Sequence, residues 1–294
     1  MENLQQCPLC QNQERSIFLK TRDWFLTQQD FNIEQCDNCG FLFTNPRPEP
    51  HKTSDYYKSE NYISHNSEKK GLVSLIYRII RHYSLKQKYQ HIKKHTSGKS
   101  ILDIGSGTGE FLNFMKINNW RVKGIEPDQK ARDFSVQRYK LPVDDEPELE
   151  QIPAGSFDVI TMWHVLEHVP DLTKKIHHLK NILNQNGLLI IAVPNPDAFD
   201  AAYYEKYWAA WDVPRHLYHF RKENIRSLAQ QANMNVKEIV PMVFDAYYIS
   251  LLSEKYRSSK PNYLNAFLTG LKSNWKARKN CNHSSLIYIL GNPE

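Results

Sequence analysis

The stretch Ser100–Leu112, SILDIGSGTGEFL, constrains the chain more than any other. Ile101, Leu102 and Ile104 make a short apolar run, as a buried parallel strand does. Asp103 sits near the end of that run. Gly105, Gly107 and Gly109 then let the backbone turn tightly and come close to a ligand. A helix starts at Glu110. Strand, glycine turn and helix in this order form a nucleotide-type pocket at the carboxyl end of a doubly wound sheet.

The charge near the turn narrows the ligand. Dinucleotide sites space their glycines G-x-G-x-x-G and set a pyrophosphate on the helix N-terminus. Here the spacing is G-x-G-x-G, and Asp103 would repel a pyrophosphate. A carboxylate there suits a ligand that carries an ammonium and a sulfonium, such as S-adenosylmethionine (SAM). Glu126, in VKGIEPD, ends the next apolar run, where a ribose-binding carboxylate belongs.

The series DIGSGTG, GIEPD, SFDVITMWHVLEHVPD and NGLLIIAVPN resembles the motifs of class I SAM-dependent methyltransferases. It is most similar to the branch that includes the ubiquinone-biosynthesis O-methyltransferases, and it spans Ser100 to Val243. The resemblance implies an α/β fold: a Rossmann-like seven-stranded sheet with helices on both faces. It implies SAM as cofactor, held by Asp103, Gly105, Ser106, Gly107, Gly109, Glu126, Pro127 and Trp163. Glu148 and Leu149 are similar to the family's acidic-apolar pair at the adenine edge, with Asp145 a competitor that spacing does not eliminate.

Strands are expected at Ile101–Ile104, Val122–Ile125, Pro142–Val143, Phe157–Met162, Leu188–Val193, Val236–Val240 and Leu286–Leu290, the last as an antiparallel edge. Helices are expected at Asp128–Tyr139 and Asp171–Leu183. Two aromatic-rich insertions interrupt the pattern, 197–220 and 244–281. Both are read as a substrate-specificity cap over residues 100–294. Residues 51–99 are read as a linker and a helix, with Tyr56, Tyr57 and Tyr62 in the linker. In that helix Leu72, Leu75, Ile76, Ile79, Ile80 and Tyr83 share one face. Arg78, Arg81 and Lys88 lie on the other. Packing against the sheet is the expected role; a membrane-surface or lid role is the alternative.

Residues 1–50 carry two C-x-x-C pairs, Cys7/Cys10 and Cys36/Cys39. Four thiolates in paired turns suit a structural zinc with no open position for catalysis. The interval between pairs exceeds the usual range, so a hairpin fills it, with short strands at Ser16–Lys20, Phe31–Gln35 and Phe41–Thr44. This resembles a zinc ribbon, which buries little core and depends on metal to fold. Four cysteines of five in such pairs point to a reducing compartment, the cytoplasm. The polar start and the lack of any eighteen-residue apolar run argue against a signal peptide and a transmembrane helix.

Trp163-His164-Val165-Leu166-Glu167-His168 follows the fourth strand, beside the transferred methyl. His164 is the first candidate for a general base that takes the acceptor's proton. The same residues form H-x-x-E-H, similar to an inverted zinc-protease motif, a reading the surrounding series rejects. Some relatives carry E-x-x-E-H here and bind a divalent cation. His164, Glu167 and His168 are therefore an alternative second metal site, although His164 replaces the first glutamate. Arg215 and His216, in the first insertion, are further catalytic candidates; packing is the alternative for His216.

The aromatic insertions favour a small, partly apolar acceptor, a phenol, lipid or sugar intermediate, methylated on oxygen. The net charge of +6 is unevenly spread. Nine Lys and Arg lie between Lys69 and Lys99, and seven between Lys255 and His283, with no acid in either stretch. Such flanks suit an anionic membrane surface or nucleic acid, or are merely solvated helix faces. A zinc-ribbon rRNA or tRNA methyltransferase is thus an alternative, although the N-P-P-Y of amino-group methyltransferases is absent. A non-catalytic zinc-ribbon adaptor is another, against which the intact Asp103, Gly105, Gly107 and Glu126 speak.

Overall fold

The structure, a computed structural model, describes residues 1–57 and 72–293. Tyr62 lies outside the described residues, as do the side chains of Leu72, Leu75, Ile76, Arg78 and Ile79. Three strands open the chain, β1 (Arg15–Arg22), β2 (Asp30–Cys36) and β3 (Leu42–Thr44). Helix α1 (Leu72–His95) leads to β4 (Ser100–Ile104), α2 (Glu110–Ile117), β5 (Arg121–Ile125), α3 (Gln129–Tyr139) and β6 (Val143–Asp144). Then come β7 (Phe157–Trp163), α4 (Leu172–Ile182) and β8 (Leu183–Pro194). The first insertion holds α5 (Phe199–Tyr204) and β9 (Tyr218–His219). After α6 (Lys222–Gln231) and β10 (Asn235–Pro241), the second insertion is a helical hairpin, α7 (Asp245–Arg257) and α8 (Tyr263–Ala277). Strand β11 (Ser285–Gly291) follows.

The main sheet has seven strands in the order β10-β11-β8-β7-β4-β5-β6. The five strands from β8 to β6 are parallel, and β11 runs antiparallel to both its neighbours. This corrects the expectation that the last strand is an edge. All seven residues of β11 are buried, whereas Asn235 and Pro241 of β10 face water, so β10 takes the edge. The third strand is Val143–Asp144, one residue later than expected. Pro142, just ahead of it, has no N–H to donate to a ladder.

Side chains alternate across this sheet. Ile104, Ile160, Met162, Leu189 and Ile191 pack under α4 and α6, whose Ile176, Leu179, Ile225 and Leu228 are buried there. Ile101, Val122, Val159, Leu188 and Ile190 pack on the other face with Leu112 and Met115 of α2 and Ile92 of α1. Helix α1 therefore packs against the sheet, as expected, and Glu238 of β10 holds its end through Lys94 (2.9 Å) and His95 (2.5 Å). No helix of the described residues is long and apolar enough to cross a membrane.

A second sheet, β1-β2-β3-β9, crosses the boundary expected at residue 50. Its first three strands belong to the cysteine-bearing segment, but β9 comes from the first insertion and pairs with β3. Phe41 stacks on Tyr218 and packs against Phe220, and the Thr44 hydroxyl donates to the His216 carbonyl at 2.7 Å. Phe31, Ile33 and Leu42 share a core with Tyr204, Trp208 and Trp211. Residues 1–50 have no core of their own, because their strands bury one apolar face against the insertion.

Candidate active site

The strand order reverses between β4 and β7, and the crevice opens at their carboxyl ends. The glycine turn there is held down by the Gly105 and Ser106 N–H groups, which donate to the Ile125 carbonyl at 2.8 and 3.1 Å. Gly105, Gly107 and Gly109 all have positive φ, at 68°, 54° and 79°. A Cβ on Gly105 would come within 2.4 Å of Val165, but one on Gly107 would meet nothing within 4 Å. The backbone at Gly107 faces open space, as a ligand cradle requires.

Glu126 is buried at the end of β5. Its Oε2 accepts from the Gly107 N–H at 2.6 Å and its Oε1 from the Asp128 N–H at 2.9 Å. Each oxygen keeps a lone pair, so the carboxylate can accept from two ribose hydroxyls. Asp103 is 2% exposed and accepts from the Thr161 hydroxyl at 2.6 Å. Burial pushes its carboxyl up to about 7, against the Thr161 hydrogen bond and the Lys88 charge.

Lys88 of α1 puts its ammonium 3.8 Å from the centre of the Trp163 ring, whose edge meets Phe111. Burial holds this lysine below its ordinary range, and the charges of Asp103 and Asp245 oppose that shift. The Ser106 hydroxyl and the Trp163 indole N–H are buried without a hydrogen-bond partner among the described residues. Unused polar atoms beside a carboxylate and an open glycine backbone fit a polar, cationic cofactor. Pro127 is exposed at the turn after Glu126. Leu149 is buried, while Glu148 points outward on the 3-10 turn after β6 and Asp145 pairs with Arg132 at 3.2 Å.

His164, expected as a lone base, has both ring nitrogens engaged by carboxylates. Nε2 lies 3.1 Å from Asp245 and Nδ1 3.4 Å from Glu167. Burial alone would lower it, but these two contacts lift it to about 10. An imidazolium between two carboxylates has no lone pair with which to take a proton or bind a metal. That geometry weighs against both roles expected of His164. Its φ of 58° is left-handed, a turn that brings Glu167 back toward it.

Arg215, also expected at the chemistry, is 1% exposed and makes four hydrogen bonds. It donates to Asp23 at 2.9 Å, to Asp212 at 2.6 and 3.0 Å and to the Tyr56 carbonyl at 3.2 Å. Its work is to tie the β1–β2 hairpin to the insertion.

His216 does come to the site, beside His168, with ring centres 4.7 Å apart. The Nδ1 atoms of His168 and His216 lie 2.9 Å from the carbonyls of Arg215 and Ala210. A carbonyl only accepts, so the His216 Nδ1 carries the proton and its Nε2 keeps a lone pair. The Tyr57 hydroxyl lies 2.9 Å from the same His168 Nδ1. Glu167 is fully buried, with His164 Nδ1 3.4 Å from one oxygen and no closer hydrogen bond to either oxygen among the described residues. One ligand atom each from Glu167, His168 and His216 falls within 4.8 Å of the others. A carboxylate and two imidazoles so placed could hold a cation. The structure gathers Glu167 and His168 with His216, where the sequence reading had His164. Burial, with His168 beside it, lowers His216 to about 4, so its ring is neutral.

Lys88, Asp245 and Tyr57 were not singled out as site residues in the sequence. Lys88 could have been found on the basic face of α1. Asp245 opens a helix 81 residues beyond its partner, and only the fold brings them together.

The four cysteines converge at the far end of the small sheet, Sγ of Cys7 3.7 Å from Cys39 and Cys10 3.5 Å from Cys36. A tetrahedral zinc with Zn–S of about 2.3 Å spaces its sulfurs about 3.8 Å apart. The two turns are alike: Gln11 and Gly40, at positive φ, donate to the Cys7 and Cys36 carbonyls at 2.9 Å. Burial pushes the Cys7 thiol up to about 11, a cost that a bound cation would remove.

The fold and its glycine-turn pocket define a class I SAM-dependent methyltransferase. The chain belongs to the methyltransferase-domain family, whose model matches residues 77–239. A ubiquinone biosynthesis O-methyltransferase of Pseudomonas aeruginosa (strain UCBPP-PA14) is 27% identical over 164 residues, 51% of this chain and 70% of that protein. One from Pseudomonas putida (strain W619) is 26% identical over 190 residues, 60% and 79% of the two chains. Among solved structures, a SAM-dependent methyltransferase of Thermotoga maritima superimposes with a TM-score of 0.51 at 19% identity, covering 76% of this chain and 96% of that one. The SAH-bound magnesium protoporphyrin IX methyltransferase of Synechocystis PCC 6803 gives 0.52 at 15% identity, covering 83% and 100%. Both share the fold. The chain is a SAM-dependent methyltransferase enzyme.

Proposed function

We propose that this enzyme methylates a hydroxyl of a small, partly apolar acceptor, with a divalent cation on Glu167, His168 and His216 and a structural zinc on Cys7, Cys10, Cys36 and Cys39. The observation that carries the reading is the buried Glu167 carboxylate, 3.4 Å from His164 and without a closer hydrogen bond among the described residues, with ligand atoms of His168 and His216 within 4.8 Å. Backbone carbonyls that fix the tautomer are the usual support of histidine ligands. A cation there supplies Lewis acidity, which lowers the pKa of an acceptor hydroxyl. The chain's residues hold and orient. Asp103 and Glu126 fix the two ends of SAM, Trp163 walls the pocket, and the Asp245–His164–Glu167 chain keeps the turn rigid. Alignment of acceptor and methyl provides much of the rate of such a displacement. The distant likeness to the ubiquinone O-methyltransferases supports oxygen as the acceptor atom.

The test is methyl transfer from labelled SAM to a panel of phenols, catechols and sugar alcohols, after chelator treatment and again with magnesium, manganese or zinc. Transfer that needs added metal and falls at least about a hundred-fold in His168→Ala and His216→Ala is the expected result. Chelator-insensitive transfer would remove the cation. Transfer to RNA in place of every small acceptor would overturn the substrate class.

A further inference from the structure

Helix α8 is built inside out. Its buried residues are small, Ala266, Thr269, Gly270, Ser273 and Ala277. Its large apolar residues face outward: Leu264 is 68% exposed, Phe267 56%, Leu268 50%, Leu271 49% and Trp275 61%. These five recur at intervals of one, three and four, so they form one continuous face. The small residues seat the helix closely on α7, where a Cβ on Gly270 would come within 2.8 Å of Tyr247. Leu268, Leu271 and Trp275 also border a groove of about 590 Å³ with Phe244 and Tyr247. A soluble surface rarely leaves so much apolar side chain in one place without a partner.

The rim identifies the partner. Lys272 and Lys276 lie beside the face, with their ammonium groups 5.0 and 4.1 Å from the Phe199 ring centre. Lys255, Arg257, Lys260, Arg278 and Lys279 surround the hairpin, and Lys255–His283 contains no acid. Glu254, next to this segment, is only 4% exposed. A second copy docked here about a two-fold axis would bring this cationic rim against itself. RNA would lay phosphates across leucines and phenylalanine. An apolar stripe with an aromatic edge, in a segment whose only charges are cationic, matches a bilayer surface with anionic headgroups.

We propose that α8 docks the enzyme on the surface of an anionic membrane, its apolar face in the headgroup–acyl boundary and its lysines on the phosphates. The site is one helix from the pocket, since α7 carries both Tyr247 beneath α8 and Asp245 on His164. The inference does not depend on which acceptor is methylated.

Flotation of the full chain with vesicles of phosphatidylcholine, with and without phosphatidylglycerol, tests it. Binding is expected only to the phosphatidylglycerol vesicles. It should weaken about five-fold per lysine in Lys272→Gln/Lys276→Gln, the cost of one cation near an anionic surface. It should weaken at least about ten-fold in Leu268→Ser/Trp275→Ser. SAM affinity in each variant checks the fold. No binding to either vesicle, or equal binding to both with no lysine effect, would overturn the proposal. So would a concentration-dependent dimer that Leu268→Ser/Trp275→Ser dissolves, which would assign the face to a second copy.

Discussion

Arg215 and Asp23 form an ion pair at 2.9 Å with both side chains out of water, 1% and 0% exposed, and they stand 192 positions apart in the chain. Asp23 also accepts from the backbone N–H groups of Phe25, Leu26 and Thr27, so it organises the β1–β2 turn while it holds the insertion. Arg215→Ala leaves Asp23 buried without that cation and half-buried Asp212 without its partner. Breaking one side of such a pair costs about 3–5 kcal/mol. Urea unfolding of the variant should show a loss of that size, with SAM affinity unchanged under native conditions. A kcat deficit with unaltered stability would return Arg215 to a role at the substrate.

The cysteine cluster predicts one tightly held zinc per chain, recoverable from protein purified without added metal. Cys36→Ser should release it. Cys36 is 0% exposed and shares a cluster with Phe41, Phe43, Tyr218 and Phe220, so metal loss should not stay local. Hydrogen exchange should accelerate in β3 and also in β9. Acceleration confined to residues 1–50 would mean that the shared sheet is weaker than its packing suggests.

What was legible in the sequence followed from local pattern. Ile101–Ile104 and Leu188–Val193 read as buried strands because both faces of each are apolar. That Asp103 and Glu126 stand buried at the ends of adjacent strands was legible from the two apolar runs that precede them. Illegible were the contacts that join distant segments. Thr44 gives no sign that its hydroxyl meets the His216 carbonyl, and Asp212 gives none that it binds Arg215 rather than water. His164 illustrates the cost. Its place after the fourth strand was right, but its chemistry depends on Asp245, which comes from an insertion with no periodic link to the site. The outward face of α8 was hidden for another reason: an amphipathic pattern does not say which of its faces is buried.

Glu126→Gln separates binding from mere packing at the ribose site. Both oxygens of Glu126 are anchored by N–H groups, so the amide loses one acceptor position and gains a donor facing the Gly107 or Asp128 N–H. A hydrogen bond to a charged group is worth about 1.5–3 kcal/mol. Titration calorimetry should therefore show SAM bound at least about ten-fold more weakly. Equal affinity would sink the ribose assignment.

The ammonium of Lys88 lies over Trp163, the Asp103 carboxylate is raised by burial, and both border the same glycine turn. SAM brings a sulfonium and an ammonium, which the ionised Asp103 attracts and the protonated form does not. Because the carboxyl is pushed up to about 7, acidification neutralises it far above the range of an exposed aspartate. The sign is opposite for the empty protein. A raised carboxyl in the folded state stabilises it fully below the unfolded value of 3.8, and that stability is lost as pH rises through about 7. SAM affinity should therefore fall as pH drops from about 8 to about 5, by at most ten-fold per pH unit for one titrating group. Asp103→Asn should flatten the profile and bind weakly throughout. Calorimetry across this range, with thermal denaturation of the empty protein alongside, reads both trends. Affinity that stays level until about pH 4, the range of an ordinary aspartate, would show that Asp103 is not the desolvated group and that the cofactor's charge is met elsewhere.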